Sequence, residues 1–197
     1  MTAAGAARLP YRSAPPYRTA RLILRHATDV DYPAVAGFHG TDEVARWLYW
    51  EPRHGEEMRS SFARMKTRTV LAADGDALHF VIEVGESGDV VGDCVLILPS
   101  ASHEQGEIGY ILAPQHHGRG FATEAARELM RIAFDEIGLH RVVGRIEPRN
   151  GASARVLDRV GMRHEATLVE NEWVKGEWQS EAIYALLRDE WSSTPTA

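Results

Sequence analysis

The chain has 197 residues, of which 44% are hydrophobic and 25% charged, with a formal net charge of −6 at pH 7 and a pI near 5.8. That length fits one domain with short tails, and the composition is that of an ordinary soluble globular protein. The acidic balance argues against a nucleic-acid partner, no apolar run approaches the ~18 residues of a membrane helix, and residues 1–17 lack the apolar core of a signal peptide.

Taken in chain order, residues 1–19 hold Pro10, Pro15 and Pro16 among Ala and Arg and read as a loose N-terminal arm. Residues 20–190 carry the periodic segments of a single domain, residues 191–197 are the C-terminal tail, and Ser192 to Ala197 read as frayed. Arg21 to Arg25 predicts a first strand. Asp29 to Phe38 and Asp42 to Trp50 predict short helices, each opened by an acidic capping residue. Glu56 to Thr69 predicts a charged, weakly amphipathic helix. His79 to Val84 and Val90 to Leu98 predict a hairpin turning at Gly85-Glu86-Ser87-Gly88. The lone Cys94 lies in the second of these strands and has no internal partner, which predicts a buried thiol and a reducing, cytoplasmic setting. A strand over Glu104 to Leu112 precedes a long helix over Ala122 to Ile137, closed by Gly138. A strand over Arg141 to Ile146, a helix over Asn150 to Arg159 and two strands, His164 to Val174 and Trp178 to Leu187, complete the domain. This order predicts an α/β layered fold, a mixed sheet with helices on both faces.

The segment Pro114-Gln115-His116-His117-Gly118-Arg119-Gly120-Phe121-Ala122-Thr123-Glu124-Ala125 joins a predicted strand to a predicted helix. Gly118 and Gly120 allow positive φ and close approach of the backbone. A strand, a Gly-rich turn and a helix start direct free N–H groups and the positive end of the helix dipole at one point, which suits a phosphate or pyrophosphate. Arg119 adds a cation. The spacing is neither that of a Walker loop nor G-x-G-x-x-G. From the two glycines alone, an ordinary turn before an amphipathic helix is an equal reading.

The pattern Q-x-x-G-x-G-[FY]-A-[ST]-E-A after E-I-G-Y resembles the acyl-CoA pyrophosphate loop of the GNAT N-acetyltransferases, most closely their Rim type, which acetylates protein N-termini. The resemblance extends in element order over residues 20–190 and implies the GNAT fold, with a central, mostly antiparallel mixed sheet. It implies acetyl-CoA as acyl donor, its pyrophosphate on His117, Gly118, Arg119, Gly120, Phe121 and Ala122, and its pantetheine arm along the backbone of Ile111, Leu112 and Ala113. It implies direct transfer to an amine acceptor. Glu107 aligns with the strand glutamate that takes the amine proton, usually through water. A surface charge or a positioning anion is the plainer reading of that residue. Period-two alternation puts Glu107, Gly109 and Ile111 on one face.

Asn150-Gly151-Ala152-Ser153 through Gly161-Met162 resembles the family's next conserved segment. Asn150 is a helix N-cap, and by resemblance it also bonds the CoA arm. Ser153 falls on the inward stripe with Val156, Leu157 and Val160. It either bonds its own helix backbone or, as in the Rim type, donates to the departing thiolate. Leu157 stands where many members carry a tyrosine acid, which moves the expectation to Ser153 or water. Tyr49, Trp50 and Trp173 are the candidates for an acceptor pocket, and Trp178 flanks the same turn as Trp173. Trp47, on a stripe with Val44 and Leu48, is expected in the core. His116 and His117 are adjacent at a turn without a spaced partner, so no metal is expected.

The acceptor is expected to be a protein or peptide α-amine. A small-molecule amine such as an aminoglycoside or polyamine is the alternative within the class. A non-catalytic acyl-CoA-binding module and a nucleotide-phosphate binder are the alternatives outside it. A longer donor such as succinyl-CoA and a homodimer stay open.

Overall fold

The computed structural model describes residues 6–192. Its strands are β1 (Tyr11–Arg12), β2 (Tyr17–Arg18), β3 (Leu22–Arg25), β4 (Val70–Leu71), β5 (Ala77–Val84), β6 (Val90–Ser100), β7 (Gln105–Leu112), β8 (Arg141–Ile146), β9 (Arg163–Val174) and β10 (Glu177–Leu187). Its helices are α1 (Tyr32–His39), α2 (Asp42–Ala45), α3 (Gly55–Thr67), α4 (Phe121–Arg131), α5 (Gly151–Arg159) and α6 (Arg188–Ser192). An eight-stranded sheet runs β2-β3-β5-β6-β7-β8-β10-β9. Every pairing in it is antiparallel except β7 with β8. This is the mixed α/β sheet that the element order predicts, with the mostly antiparallel pairing that the resemblance implies.

Alternation along β5 shows how the two faces are covered. Leu78, Phe80 and Ile82 are buried in the larger core with Leu96, Ile108 and the α4 residues Ala125, Leu129 and Met130. Val81 points the other way, into a second core built by Val35 and Phe38 of α1 and Met58, Phe62 and Met65 of α3. Helices therefore lie on both faces, each burying an apolar stripe against the sheet. Cys94 is fully buried in the first core, and burial pushes its thiol well up.

Several local expectations are corrected. The arm is not loose where it is described: the Ala7 N–H donates to Glu104 Oε1 at 2.7 Å, the Arg8 N–H donates to the Ile137 carbonyl at 2.7 Å, and β1 pairs with β4. The reason is aromatic burial, since Tyr17 packs edge-on to Phe80 with ring centroids 5.6 Å apart. Residues 1–5 and 193–197 lie outside the described residues. At the other end Trp191, the first residue of the tail, packs on Phe134 and its indole N–H donates to Asp135 at 3.0 Å.

The helix expected from Asp42 to Trp50 stops at Ala45. Residues 46–50 leave it as a turn and bend, and Arg46 lies over the Trp47 ring at 4.7 Å. The long helix is α-helical only to Arg131 and widens to a π-helical stretch over Ile132–Ile137. The wider turn sets Glu136, five residues on, within 2.6 Å of Arg131. Gly138, at φ +80°, closes the helix as expected.

Candidate active site

The parallel pairing of β7 and β8 covers only Gln105 with Arg141, Gly106 with Val142 and Glu107 with Val143. Beyond that point the strands part. The opening enters a cavity of about 800 Å3 lined by Ile108 to Leu112 on one side and Gly144, Arg145 and Ile146 on the other. Parting leaves the β8-facing backbone groups of β7 without strand partners, and such groups need a partner from elsewhere. An extended amide-bearing arm lying beside Ile111 and Leu112 would supply one.

The glycine loop stands past the end of β7. Gly118 and Gly120 have φ of +73° and +81°, conformations that side chains with a Cβ rarely adopt. No side chain caps α4, so its leading N–H groups and the positive end of its dipole are available to an anion in the cavity. Gly118, Gly120, Phe121, Ala122 and Thr123 line that wall. The acidic residue of the first turn, Glu124, is directed away, with Thr19 donating to one oxygen at 2.5 Å and Arg21 Nη2 2.6 Å from the other. Burial pushes that carboxyl up, but the Thr19 and Arg21 hydrogen bonds prevail and hold it below the usual range. His117 lines the cavity, with Nε2 3.0 Å from the Leu112 carbonyl oxygen. Arg119 lies over the Phe121 ring, 4.6 Å from its centroid, with Nη1 near His116 Nδ1 at 3.2 Å. Ala113 is buried behind the wall in the second core.

Across the cavity, the Asn150 side chain accepts from the Ser153 N–H at 3.1 Å and caps α5. Asn150 and Ser153 both line the wall. Among the described residues no hydrogen bond runs from the Ser153 hydroxyl to its own helix backbone. Tyr110 reaches the same point and donates through its hydroxyl to the Ser153 carbonyl at 3.2 Å. Leu157 is buried against Gly144, where a Cβ would lie 2.7 Å from Leu157 Cδ2. Leu157, at the position where the resemblance implies a tyrosine, is thus a packing contact in this chain.

Glu107 sits at the last paired residue, where the strands part. Its Oε2 is 3.2 Å from Arg145 Nε, and Arg145 Nη1 is 2.8 Å from Glu181 Oε2. Burial pushes the Glu107 carboxyl above its usual range, Arg145 opposes this, and Glu181 adds to it. The Tyr49 hydroxyl donates to Glu181 Oε1 at 3.2 Å. Tyr49 and Trp50 line the cavity as expected. Trp47 lines it too, correcting its expected place in the core, because the helical stripe that put it there ends at Ala45. Trp173 is not brought to this cavity. It stands 61% exposed on the edge strand, packed edge-on to Trp178 at 5.4 Å.

The cavity also holds groups that no motif announced. The face shared by Glu107, Gly109 and Ile111 continues across β6 to Ile97, Val95 and Asp93, and across β5 to Ala77, His79 and Val81. Asp93, 3% exposed, lies between His39 Nε2 at 2.5 Å and His79 Nε2 at 2.8 Å. Burial would push that carboxyl up, but the two imidazoles hold it well below the usual range. His39 stacks on Trp50 with centroids 5.1 Å apart, and Arg53 lies over the Trp50 ring at 3.9 Å. The parity of each strand was legible in the sequence, whereas the pairing that aligns His79 with Gly109 was not.

Comparison with known proteins agrees with this geometry. The family model described as an acetyltransferase (GNAT) domain matches residues 21–163. A Bacillus licheniformis protein named "Uncharacterized N-acetyltransferase p20" is 28% identical over 174 residues, which cover 88% of this chain and 97% of that one. A solved GNAT-family acetyltransferase from Bacillus anthracis superposes with a TM-score of 0.79 at 25% identity, covering 87% of this chain and 98% of its own. The spermidine N-acetyltransferase of Vibrio cholerae, solved with CoA and spermine, superposes with a TM-score of 0.75 over 89% of this chain and all of its own, and at 20% identity it shares the fold.

Proposed function

The chain belongs to the GNAT acetyltransferases, which makes it an acyl-CoA-dependent N-acetyltransferase, and from that premise we propose that its acceptor is the α-amino group of a protein or peptide N-terminus, as in the Rim type. The observation that carries this reading is the candidate base. Burial raises the Glu107 carboxyl above its usual range against the opposing ion pair with Arg145, yet a carboxylate is still a far weaker base than a free amine. Neutralising an α-ammonium of pKa ≈ 7.7–8.0 costs only about 1 kcal/mol at pH 7, whereas a lysine at ≈ 10.4 costs about 4.6 kcal/mol. A weak base suffices for the first and not for the second.

The donor is held by the pyrophosphate on the amides from His117 to Ala122 and by its pantetheine arm along Ile111 and Leu112, with Asn150 reaching the arm from α5. The amine proton passes to Glu107, directly or through water. The amine nitrogen attacks the thioester carbonyl carbon, a C–N bond forms, and the C–S bond breaks. The departing thiolate takes its proton from the Ser153 hydroxyl or from water. Tyr49 and Trp50 border the acceptor. The single, buried Cys94 accords with a reducing, cytoplasmic setting.

The test is a thiol-release assay with acetyl-CoA and succinyl-CoA over a panel of N-terminal peptides, lysine-only peptides, aminoglycosides and spermidine. Release with free N-termini at the highest kcat/KM is expected. Release confined to spermidine or aminoglycosides would replace the acceptor assignment, and CoA binding without release on any amine would leave a binding module.

A further inference from the structure

The cavity is electrostatically two-ended. Beside its β8 wall, next to the lining residues Arg145, Ile108 and Tyr49 but not themselves part of the lining, stand Glu107 and Glu181, bridged by Arg145, with Glu172 close enough to act on the Tyr49 hydroxyl. The opposite side is walled by α3 and β5, where Arg53, Arg64 and Arg68 line the cavity. The ion pairs made by α3 are Arg53 with Glu57, Arg59 with Glu56 and Lys66 with Asp29. None of these involves Arg64 or Arg68, and among the described residues neither has a carboxylate partner. Arg53 has a weak one, with Glu57 at 3.5 Å and itself mostly exposed. The carboxylate of Glu43 also borders the cavity, but from α2, where it also borders a separate hollow with Arg46 and Lys175.

Arg53 is built into place. Its Nη1 donates to Ser61 Oγ at 2.8 Å, and the Trp50 ring beneath it is backed by His39. His39 in turn is fixed by Asp93, which also holds His79. His39 Nδ1 and His79 Nδ1 are buried without hydrogen-bond partners among the described residues, and buried Arg53 Nε has only the long contact to Glu57 Oε1 at 3.5 Å. Each such group carries a desolvation penalty, and unsatisfied polar groups of this kind need an explanation beyond packing. Burial and the nearby charge of Arg64 both disfavour the Arg53 cation, with Glu57 and Asp93 opposing them. Three guanidiniums line one concave wall, two of them without a carboxylate partner among the described residues, and such a wall suits an anion.

Their distance from the reaction point follows from the register. His79, Val95 and Gly109 form one row across β5, β6 and β7, and the His79 N–H donates to the Arg68 carbonyl at 2.9 Å. Two strand spacings separate Gly109 from His79, about 9.6 Å. The glycine loop lies beyond Leu112, along β7 from Gly109, whereas the arginines lie across the strands from it, so the two line different walls of the cavity. An extended peptide advances about 3.3 Å per residue, so a side chain on its second or third residue reaches that wall while its amine is at Gly109.

We infer that Arg53, Arg64 and Arg68 form a subsite for a carboxylate of the acceptor, so that this enzyme selects N-termini with Asp or Glu at the second or third position. The inference rests on the α-amine reading above. A polycation such as spermidine would instead set its far ammonium against the arginines.

The experiment titrates CoA-loaded protein calorimetrically with three C-terminally amidated peptides, Ser-Asp-Asp-Ala, Ser-Asn-Asn-Ala and Ser-Lys-Lys-Ala. The acidic peptide is expected to bind at least tenfold more tightly than its amide counterpart, about 1.4 kcal/mol, and the basic one more weakly than either. Arg64→Glu combined with Arg68→Glu, both at exposed positions, is expected to reverse that order. Equal affinities in the wild type, an unchanged order in the double variant, or no binding by any peptide would overturn the subsite. Thiol release from acetyl-CoA is followed on the same peptides. Charge-ordered binding without any release would overturn the α-amine reading and keep the subsite, while equal binding with brisk release would do the reverse.

Discussion

Substituting Gly120 by valine separates backbone strain from ligand exclusion. Gly120 holds φ +81° at the N-cap of α4, and a left-handed conformation costs an L-residue roughly 1–2 kcal/mol. The added Cβ would meet Arg21 Nη2 at 3.3 Å, the end of a flexible side chain that can move aside. Stability should therefore fall by about 1–2 kcal/mol, lowering Tm by roughly 2–8 °C for a chain of this size. The same branched side chain stands at the cavity wall, where the loop amides must approach the pyrophosphate. CoA affinity should fall at least tenfold, about 1.4 kcal/mol. Gly161→Val is the control: φ is +91° with nothing within 4 Å of a Cβ, and the residue is not part of the cavity wall. It should lose similar stability and keep its CoA affinity. Calorimetric melting and CoA titration of both variants give the comparison. A folded Gly120→Val protein with wild-type affinity, or an equal loss in Gly161→Val, would refute the loop assignment.

Ser153→Ala should lower kcat more than it weakens acetyl-CoA binding, because its proposed partner is the thiolate formed late in the reaction. An unaltered rate at saturating substrates would leave the hydroxyl without that role. Glu107→Gln should be slower by about 10²-fold near pH 7 and recover by about pH 8 on an α-amine, or only above about pH 10 on a lysine. Because burial raises the Glu107 pKa, the wild-type rate should fall on acidification at a pH above the ordinary glutamate value of about 4.3. A variant that tracks the wild type at every pH removes Glu107 from the chemistry. Asp93→Asn breaks a buried charge–imidazole cluster and should cost about 3–5 kcal/mol of stability at neutral pH. Since the folded pKa of Asp93 is depressed, its contribution is present above the unfolded value of about 3.9 and is lost as pH falls below it. The gap in stability between the two proteins should narrow under acid, and denaturant melts showing a constant gap would contradict this.

Long periodic segments and punctuation were legible in the sequence. The strand over Arg141 to Ile146 has the bounds expected of it, Asn150 caps its helix, and Gly118, Gly120 and Gly138 hold the positive φ that their positions imply. The two-residue strands β1, β2 and β4 are too short to show a period and exist only through their partners. The aromatic run after Ala45 misled, because a stripe drawn through Trp47 presupposed a helix that stops at Ala45. Trp173 was assigned from its place beside a turn, and the edge position of β9 decided its exposure. The cluster of His39, Asp93 and His79 joins two strands of a hairpin that the sequence announced to a helix 54 residues before Asp93. Single-strand parity fixes which residues share a face but not which strands lie side by side, so neither this cluster nor the arginine wall had a local signature.

Transfer of acetyl from acetyl-CoA to an α-amine is tested by mapping the product on one peptide. A peptide carrying both a free N-terminus and an internal lysine is incubated with acetyl-CoA and the enzyme near pH 7, and fragmentation mass spectrometry locates the acetyl group. The account predicts acetylation at the α-amino nitrogen with the lysine unmodified. Acetyl found on the lysine alone, or thiol release only when spermidine replaces the peptide, would contradict it.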